Sequence, residues 1–243
     1  MLEVKKQQAK PTAVPEQWPS SIYARPRVPV HPPATIDQET YVPEEILEGC
    51  RTSVQQLGLD GITTLGVTST LRGEGRTTLA LGVALALAEY GLETVLIELD
   101  LANPQLAHRL QVAKYPGVGD LAEGRSEVAD ILTPIGPRIS VAPAGQVHGS
   151  IPYALNQLAR LEVLSEMTAQ NRVVVADLPP LLGSSLGRQA AGLMADLVLV
   201  VRAGVAPAGR IRDAVAGLAV SPSVLLNGTH SRIPEWAARL AGI

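Results

Sequence analysis

Phenylalanine is missing from the chain, and aromatic residues of any kind make up only 3% of its 243 residues. A core without rings must be closed by Val, Leu, Ile and Ala. At 46% hydrophobic, the composition suffices for one sizeable domain plus additional segments. The lone cysteine, Cys50, excludes a disulfide framework and a cysteine-built metal site, and it fits a reducing compartment. There is no basic excess either. A net charge of −3 leaves no electrostatic footprint for nucleic acid, so no nucleic-acid partner is expected. No uninterrupted apolar run approaches the roughly 18 residues of a spanning helix. Residues 79–88 and 193–201 are apolar but short, and read as buried elements. Residues 1–10 lack the apolar centre of a signal peptide, so a cytoplasmic location is expected.

What is present divides the chain at about residue 42. Up to there, Pro11, Pro15, Pro19, Pro26, Pro29, Pro32 and Pro33 are mixed with Lys, Gln and Ser. Such a segment lacks apolar periodicity and cannot offset its ordering entropy by burial, so residues 1–42 are expected to form a disordered or polyproline-like tail. Residues 43–57 read as a helix with Pro43 at its start, and Ile46, Cys50, Val54 and Leu57 form one apolar stripe. Glu48 and Arg51, three apart, can pair on its polar side. From Gly61 onward strand and helix alternate. Strands are predicted at 63–68, 94–99, 139–142, 173–177, 197–201 and 223–226. Helices are predicted at 77–90, 105–110, 127–132, 153–169, 187–194, 209–218 and 234–240. The strand runs are almost continuously apolar, as parallel strands covered on both faces require. Residues 43–243 therefore read as one α/β domain with a doubly wound, mostly parallel sheet.

In such a sheet the ligand sits beyond the carboxyl ends of the strands. After the first predicted strand comes Ser69-Thr70-Leu71-Arg72-Gly73-Glu74-Gly75-Arg76-Thr77-Thr78, which leads into an Ala/Leu-rich helix. Strand, glycine-rich loop and helix together form a phosphate cradle, because the amides and dipole at a helix start favour an anion. Gly73 and Gly75 allow the backbone to wrap phosphate oxygens, with Glu74 between them. Thr77 is placed to hold Mg²⁺ and Thr78 to bond a phosphate oxygen. Arg76 stands where such loops carry lysine. After the second strand come Glu98 and Asp100, which alternation would point toward one cation. Asp177 follows the apolar run Val173-Val174-Val175-Ala176 as a Mg²⁺ ligand, direct or through water. Asn227 follows the last strand, where an amide can read a base edge. The expected cofactors are ATP or ADP with Mg²⁺.

Across about residues 45–228 these motifs resemble the bacterial tyrosine kinases of capsular and exopolysaccharide synthesis, within the P-loop class that includes ParA and MinD. Ser69–Thr78 is similar to that family's Ser-…-Gly-Glu-Gly-Lys-Ser/Thr-Thr loop. Leu96-Ile97-Glu98-Leu99-Asp100-Leu101-Ala102-Asn103-Pro104 resembles its second motif, and Val174-Val175-Ala176-Asp177-Leu178-Pro179-Pro180 its Walker B motif. Residues 116–124 and 141–145 match segments associated with this family rather than with ParA or MinD. Leu71 stands where those two classes carry a signature lysine. The resemblance implies Arg76 in the place of the loop lysine and Glu98 in that of the catalytic base. Ala102 stands where the second motif has arginine. It also implies a membrane polysaccharide co-polymerase as partner, with peripheral recruitment to the inner face of the membrane. Homo-oligomerisation through helix 43–57 is implied as well, with Val54 where the oligomerisation motif has its second arginine. No tyrosine follows Tyr153, so the family's C-terminal tyrosine cluster has no counterpart.

Two classes of function compete. The expected reading is a nucleotide-binding protein of exopolysaccharide or capsule biosynthesis with degenerate catalytic motifs, acting as a regulatory partner. The alternative is an active but slow ATPase or tyrosine kinase. A MinD-like positioning ATPase is a further alternative, and would need a membrane-targeting helix that the weakly basic residues 236–243 do not offer.

Overall fold

The structure, a computed structural model, describes residues 42–57, 61–169 and 172–228. The expected tail up to residue 41 and the helix expected at 234–240 lie outside these residues.

Seven strands form one sheet in the order β3-β4-β2-β5-β1-β6-β7. They are β1 (Thr64–Ser69), β2 (Glu93–Glu98), β3 (Thr133–Gly136), β4 (Ile139–Ala142), β5 (Arg172–Asp177), β6 (Asp196–Arg202) and β7 (Ser223–Asn227). All pairings are parallel except β3 against β4. The central strands alternate between two cores. Leu65, Val67, Val173, Val175, Val198 and Val200 face one side. Val95, Ile97, Val174, Ala176, Leu197 and Leu199 face the other. Both faces are dry, which is why period-two polarity is absent from the sequence. Gly66 in β1 is required by packing: a Cβ there would stand 2.6 Å from Leu178 Cδ1 and 2.7 Å from Met194 Cγ.

The first face is covered by α1 (Glu44–Leu57) and α2 (Arg76–Glu89). Every residue of α2 from Leu79 to Leu87 is buried, so its apolar character runs all round rather than along one stripe. The buried stripe of α1 is Leu47, Cys50 and Val54; Ile46, expected to lead it, is only half-buried. Gly82 of α2 makes room for Cys50, whose Sγ would lie 2.7 Å from a Cβ at that position. Burial pushes the Cys50 thiol up to about 11, well away from nucleophilic chemistry. Val42, placed by the sequence in the tail, is fully buried against the same helix pair. Arg51 pairs with Glu48 at 3.0 Å as expected, and also with Glu44 at 2.6 Å and Glu89 of α2 at 2.8 Å.

The other elements are α3 (Leu106–Arg109), α4 (Val118–Ala122), α5 (Val128–Ile131), α6 (Ile151–Arg160), α7 (Val163–Thr168), α8 (Ser185–Ala191) and α9 (Ala208–Val215). The single helix expected at 153–169 is broken between α6 and α7, because Glu162 adopts φ 50°. Two elements have no counterpart in the sequence reading. The antiparallel edge strand β3 carries Pro134, which masks its β character, and α4 is only one turn long.

Candidate nucleotide site

The loop between β1 and α2 turns on two glycines with left-handed backbones, Gly73 at φ 81° and Gly75 at φ 96°. Gly75 is the N-cap of α2 and offers no side-chain acceptor, so the first-turn amides of the helix remain free for an anion. Glu74 is buried beneath the loop. One of its carboxylate oxygens accepts from the Leu71 amide at 2.7 Å and the other from the Arg202 amide at 3.4 Å. It therefore shapes the loop from inside. Asn227, expected to read a base, donates instead through Nδ2 to the Glu74 carbonyl at 2.9 Å. A Cβ on Gly75 would collide with that amide nitrogen.

The sheet then delivers the carboxylates. Asp177 is the last residue of β5, the strand beside β1, and Asp100 lies two residues past β2. Both side chains are almost wholly buried, and both point at Arg76, the first residue of α2. Arg76 donates through Nη2 to Asp100 Oδ2 at 2.7 Å and through Nε to Asp177 Oδ1 at 3.0 Å. Burial raises the Asp177 pKa, against the pull of Arg76 and of a hydrogen bond with the Thr77 side chain. The residues predicted to hold Mg²⁺ (Thr77, Asp100 and Asp177) are thus brought together, around a guanidinium. No cluster of three His, Cys, Asp or Glu side chains able to hold a metal occurs among the described residues. As arranged, the donor set fits an arginine and not Mg²⁺.

Glu98 and Asp100 do not converge on one cation. Glu98 ends β2, and the chain leaves strand geometry before Asp100, so the alternation rule fails there. The Glu98 carboxylate is consumed by backbone amides. One oxygen accepts from Gln105 and, at 2.9 Å, from Leu106, capping α3; the other accepts from Ala144 at 3.2 Å. Burial raises its pKa even so, against the pull of those amides, and the nearby Asp177 charge acts in the same direction as burial. A cleft of about 320 Å³ opens next to Glu98, lined by Pro104, His108, Lys114 and Gly145 among others rather than by the loop. Thr78 accepts a hydrogen bond from Arg109 Nη1 at 2.9 Å. That second cation beside the loop was not singled out in the sequence, since α3 carries no motif.

Residues 116–124 and 141–145 form one stitched unit. Val118 and Gly119 amides donate to the Pro143 and Ala144 carbonyls, each at 2.8 Å. Gly117 has no room for a Cβ against Pro143 and Gly145. Asp120 accepts from the Gly117 amide at 3.0 Å and the Gln146 amide at 3.1 Å.

A mostly parallel sheet with a glycine-rich loop between β1 and a buried helix, one carboxylate at the end of β5 and another two residues past β2, defines a P-loop NTPase fold of the MinD/ParA-like class. No protein-family model matches the chain. It is 29% identical over 177 residues to tyrosine-protein kinase CpsD of Streptococcus agalactiae, covering 70% of this chain and 71% of that protein. The kinase domain of Escherichia coli tyrosine kinase ETK superposes with a TM-score of 0.70 at 21% identity, over 78% of this chain and 77% of that domain. The VpsO kinase domain superposes at 0.68 with 25% identity, over 77% of this chain and 97% of that one. MinD of Pyrococcus horikoshii, solved with Mg-ADP, superposes at 0.56 with 19% identity, over 73% of this chain and 76% of that one. The chain is thus similar to bacterial tyrosine kinases in sequence and in fold.

Proposed function

We propose that the chain is a nucleotide-binding regulator of exopolysaccharide or capsule biosynthesis, acting as the soluble partner of a membrane polysaccharide co-polymerase without tyrosine-kinase turnover. The observation that carries this reading is the Arg76 guanidinium bound to both Asp100 and Asp177. A loop lysine is a compact charge that reaches the β- and γ-phosphates with its whole ammonium, whereas an arginine fork bound to two carboxylates keeps only Nη1 uncommitted. Losing one preorganised donor of this kind costs about 10²–10³ in rate. The other departures act in the same direction. Glu98, in the place of the base, is tied to three backbone amides, and Ala102 stands where the second motif has arginine. What remains is the part that binds: the free amides at the start of α2, two left-handed glycines and Thr77 and Thr78. The likeness to CpsD and to the ETK and VpsO kinase domains supports the polysaccharide setting. No described helix is long and apolar enough to cross a membrane, so attachment there would come through the partner.

The test joins two measurements on the full chain. It is incubated with MgATP, and phosphate release and phosphotyrosine are followed beside an Asp177→Asn control. Its co-purification with the co-polymerase encoded nearest to it is then measured. Co-purification without turnover supports the proposal. Turnover abolished by Asp177→Asn would establish an active ATPase or kinase instead.

A further inference from the structure

Between the phosphate loop and the ends of β2 and β5 lies one positive charge, and it belongs to the protein. We infer that the Arg76 guanidinium occupies the place of the divalent cation, so that the loop takes a nucleoside diphosphate without metal. The inference rests on the nucleotide-binding reading above and specifies its ligand.

Three observations carry it. Arg76 meets Asp100, two residues past β2, at 2.7 Å and Asp177, the last residue of β5, at 3.0 Å, and its side chain is only 12% exposed. A divalent ion approaching either carboxylate would stand within a few ångströms of the Arg76 guanidinium, cation against cation. The second observation is what Arg76 leaves unused. Its Nη1 is buried and has no protein partner, and the same is true of the Thr70 hydroxyl at the start of the loop. Buried donors in this position call for an acceptor that the protein does not supply, and a phosphate oxygen is one. Asp100 Oδ1, also unpartnered, is an acceptor and does not serve an anion. The third is charge. Mg²⁺ ordinarily bridges the β- and γ-phosphates and offsets their charge. With one guanidinium, shared between two carboxylates, in place of a divalent ion, less positive charge faces a γ-phosphate, so the diphosphate is favoured. Arg109, donating to Thr78 at 2.9 Å, is the further cation near the loop.

The experiment uses calorimetric titration of the full chain with ADP and ATP, each with EDTA and with excess Mg²⁺. A parallel titration with Mn²⁺ alone is read by electron paramagnetic resonance of the free ion. Expected are ADP affinities that agree within about threefold with and without Mg²⁺, ADP at least as tight as ATP, and no Mn²⁺ uptake by the wild type. Arg76→Lys, which frees the carboxylates, should strengthen ADP binding at least about tenfold on adding Mg²⁺. Nucleotide binding that requires Mg²⁺ in the wild type would overturn the inference and leave the nucleotide reading standing. Absence of binding under every condition would overturn that reading together with the diphosphate assignment, and Mn²⁺ uptake by the wild type would independently overturn the metal substitution.

Discussion

Arg76 Nε stands 3.0 Å from Asp177 Oδ1, an ion pair joining the first residue of α2 to the last residue of β5. Removing either partner is not equivalent. In Asp177→Asn the arginine keeps Asp100, and the cost of burying one carboxylate disappears, so a loss of about 1–3 kcal/mol is expected. In Arg76→Ala two buried carboxylates face each other without a cation, and about 3–5 kcal/mol is expected. That variant also acquires a distinctive pH dependence. Burial and the neighbouring Asp100 charge, no longer opposed by the arginine, then hold the folded Asp177 pKa above the unfolded one, so the native state binds more protons. Its stability should rise as the pH falls through the folded value toward about 4. Urea unfolding at several pH values checks this, and an Arg76→Ala protein as stable as wild type at neutral pH would refute the pairing.

Glu98→Asp restores the residue that the resemblance leads one to expect, and it distinguishes a base from a cap. An aspartate is one methylene shorter and cannot span the amides of Gln105 and Leu106 on one side and Ala144 on the other. A loss of about 1–3 kcal/mol is expected, with one buried amide orphaned. Phosphate release should not increase. A Glu98→Asp protein of unchanged stability with new turnover would return Glu98 to the chemistry.

These two residues mark where the sequence was legible. The strand ends were readable because unbroken runs such as Val173–Ala176 can only be doubly covered strands, and each observed strand from β1 to β7, except β3, begins within a residue of its expected place. The loop was readable because glycines with positive φ, a hydroxyl pair and a helix follow in fixed order. Direction was not readable. Whether Arg76 reaches out to a ligand or back to Asp100 and Asp177 depends on side-chain torsions and on how the chain brings together Arg76 and Asp177, which are 101 positions apart. Likewise, Glu98 and Asp100 share parity in sequence but not in space, since the strand ends between them. Glu162 breaks a helix from a residue type that gives no warning.

Gly75→Ala tests the seat of the loop. An alanine there must adopt φ 96° and place its Cβ against Asn227 Nδ2. The backbone alone costs about 1–2 kcal/mol and the collision adds to it. Asn227→Ala loses the 2.9 Å bond to the Glu74 carbonyl, worth about 1 kcal/mol. Because the second change relieves the collision made by the first, the double variant should lose less than the two single losses added, by about 1 kcal/mol. A double-mutant cycle in urea measures that coupling, and strict additivity would show that the two residues do not touch.

Glu123 supplies a pH test far from the loop. Its Oε1 accepts from the His148 amide at 2.9 Å and the Gly149 amide at 2.8 Å, while Arg125 pairs with its other oxygen. Burial works to raise its pKa, but Arg125 and the two amides outweigh that and hold the carboxyl down from 4.5 to about 2. A depressed folded pKa means stability that is fully present above the unfolded value and lost as pH falls through the folded one. Glu123→Gln should therefore be less stable than wild type at neutral pH by about 1 kcal/mol, the half-exposed Arg125 being screened by water and salt. The gap should close between pH 4.5 and about 2, the interval in which the wild-type carboxylate takes up its proton in the native state. Thermal unfolding of the two proteins across that interval is decisive. A gap that persists unchanged at the acid end would show that the carboxylate's charge contributes nothing to holding residues 148–149 against α4.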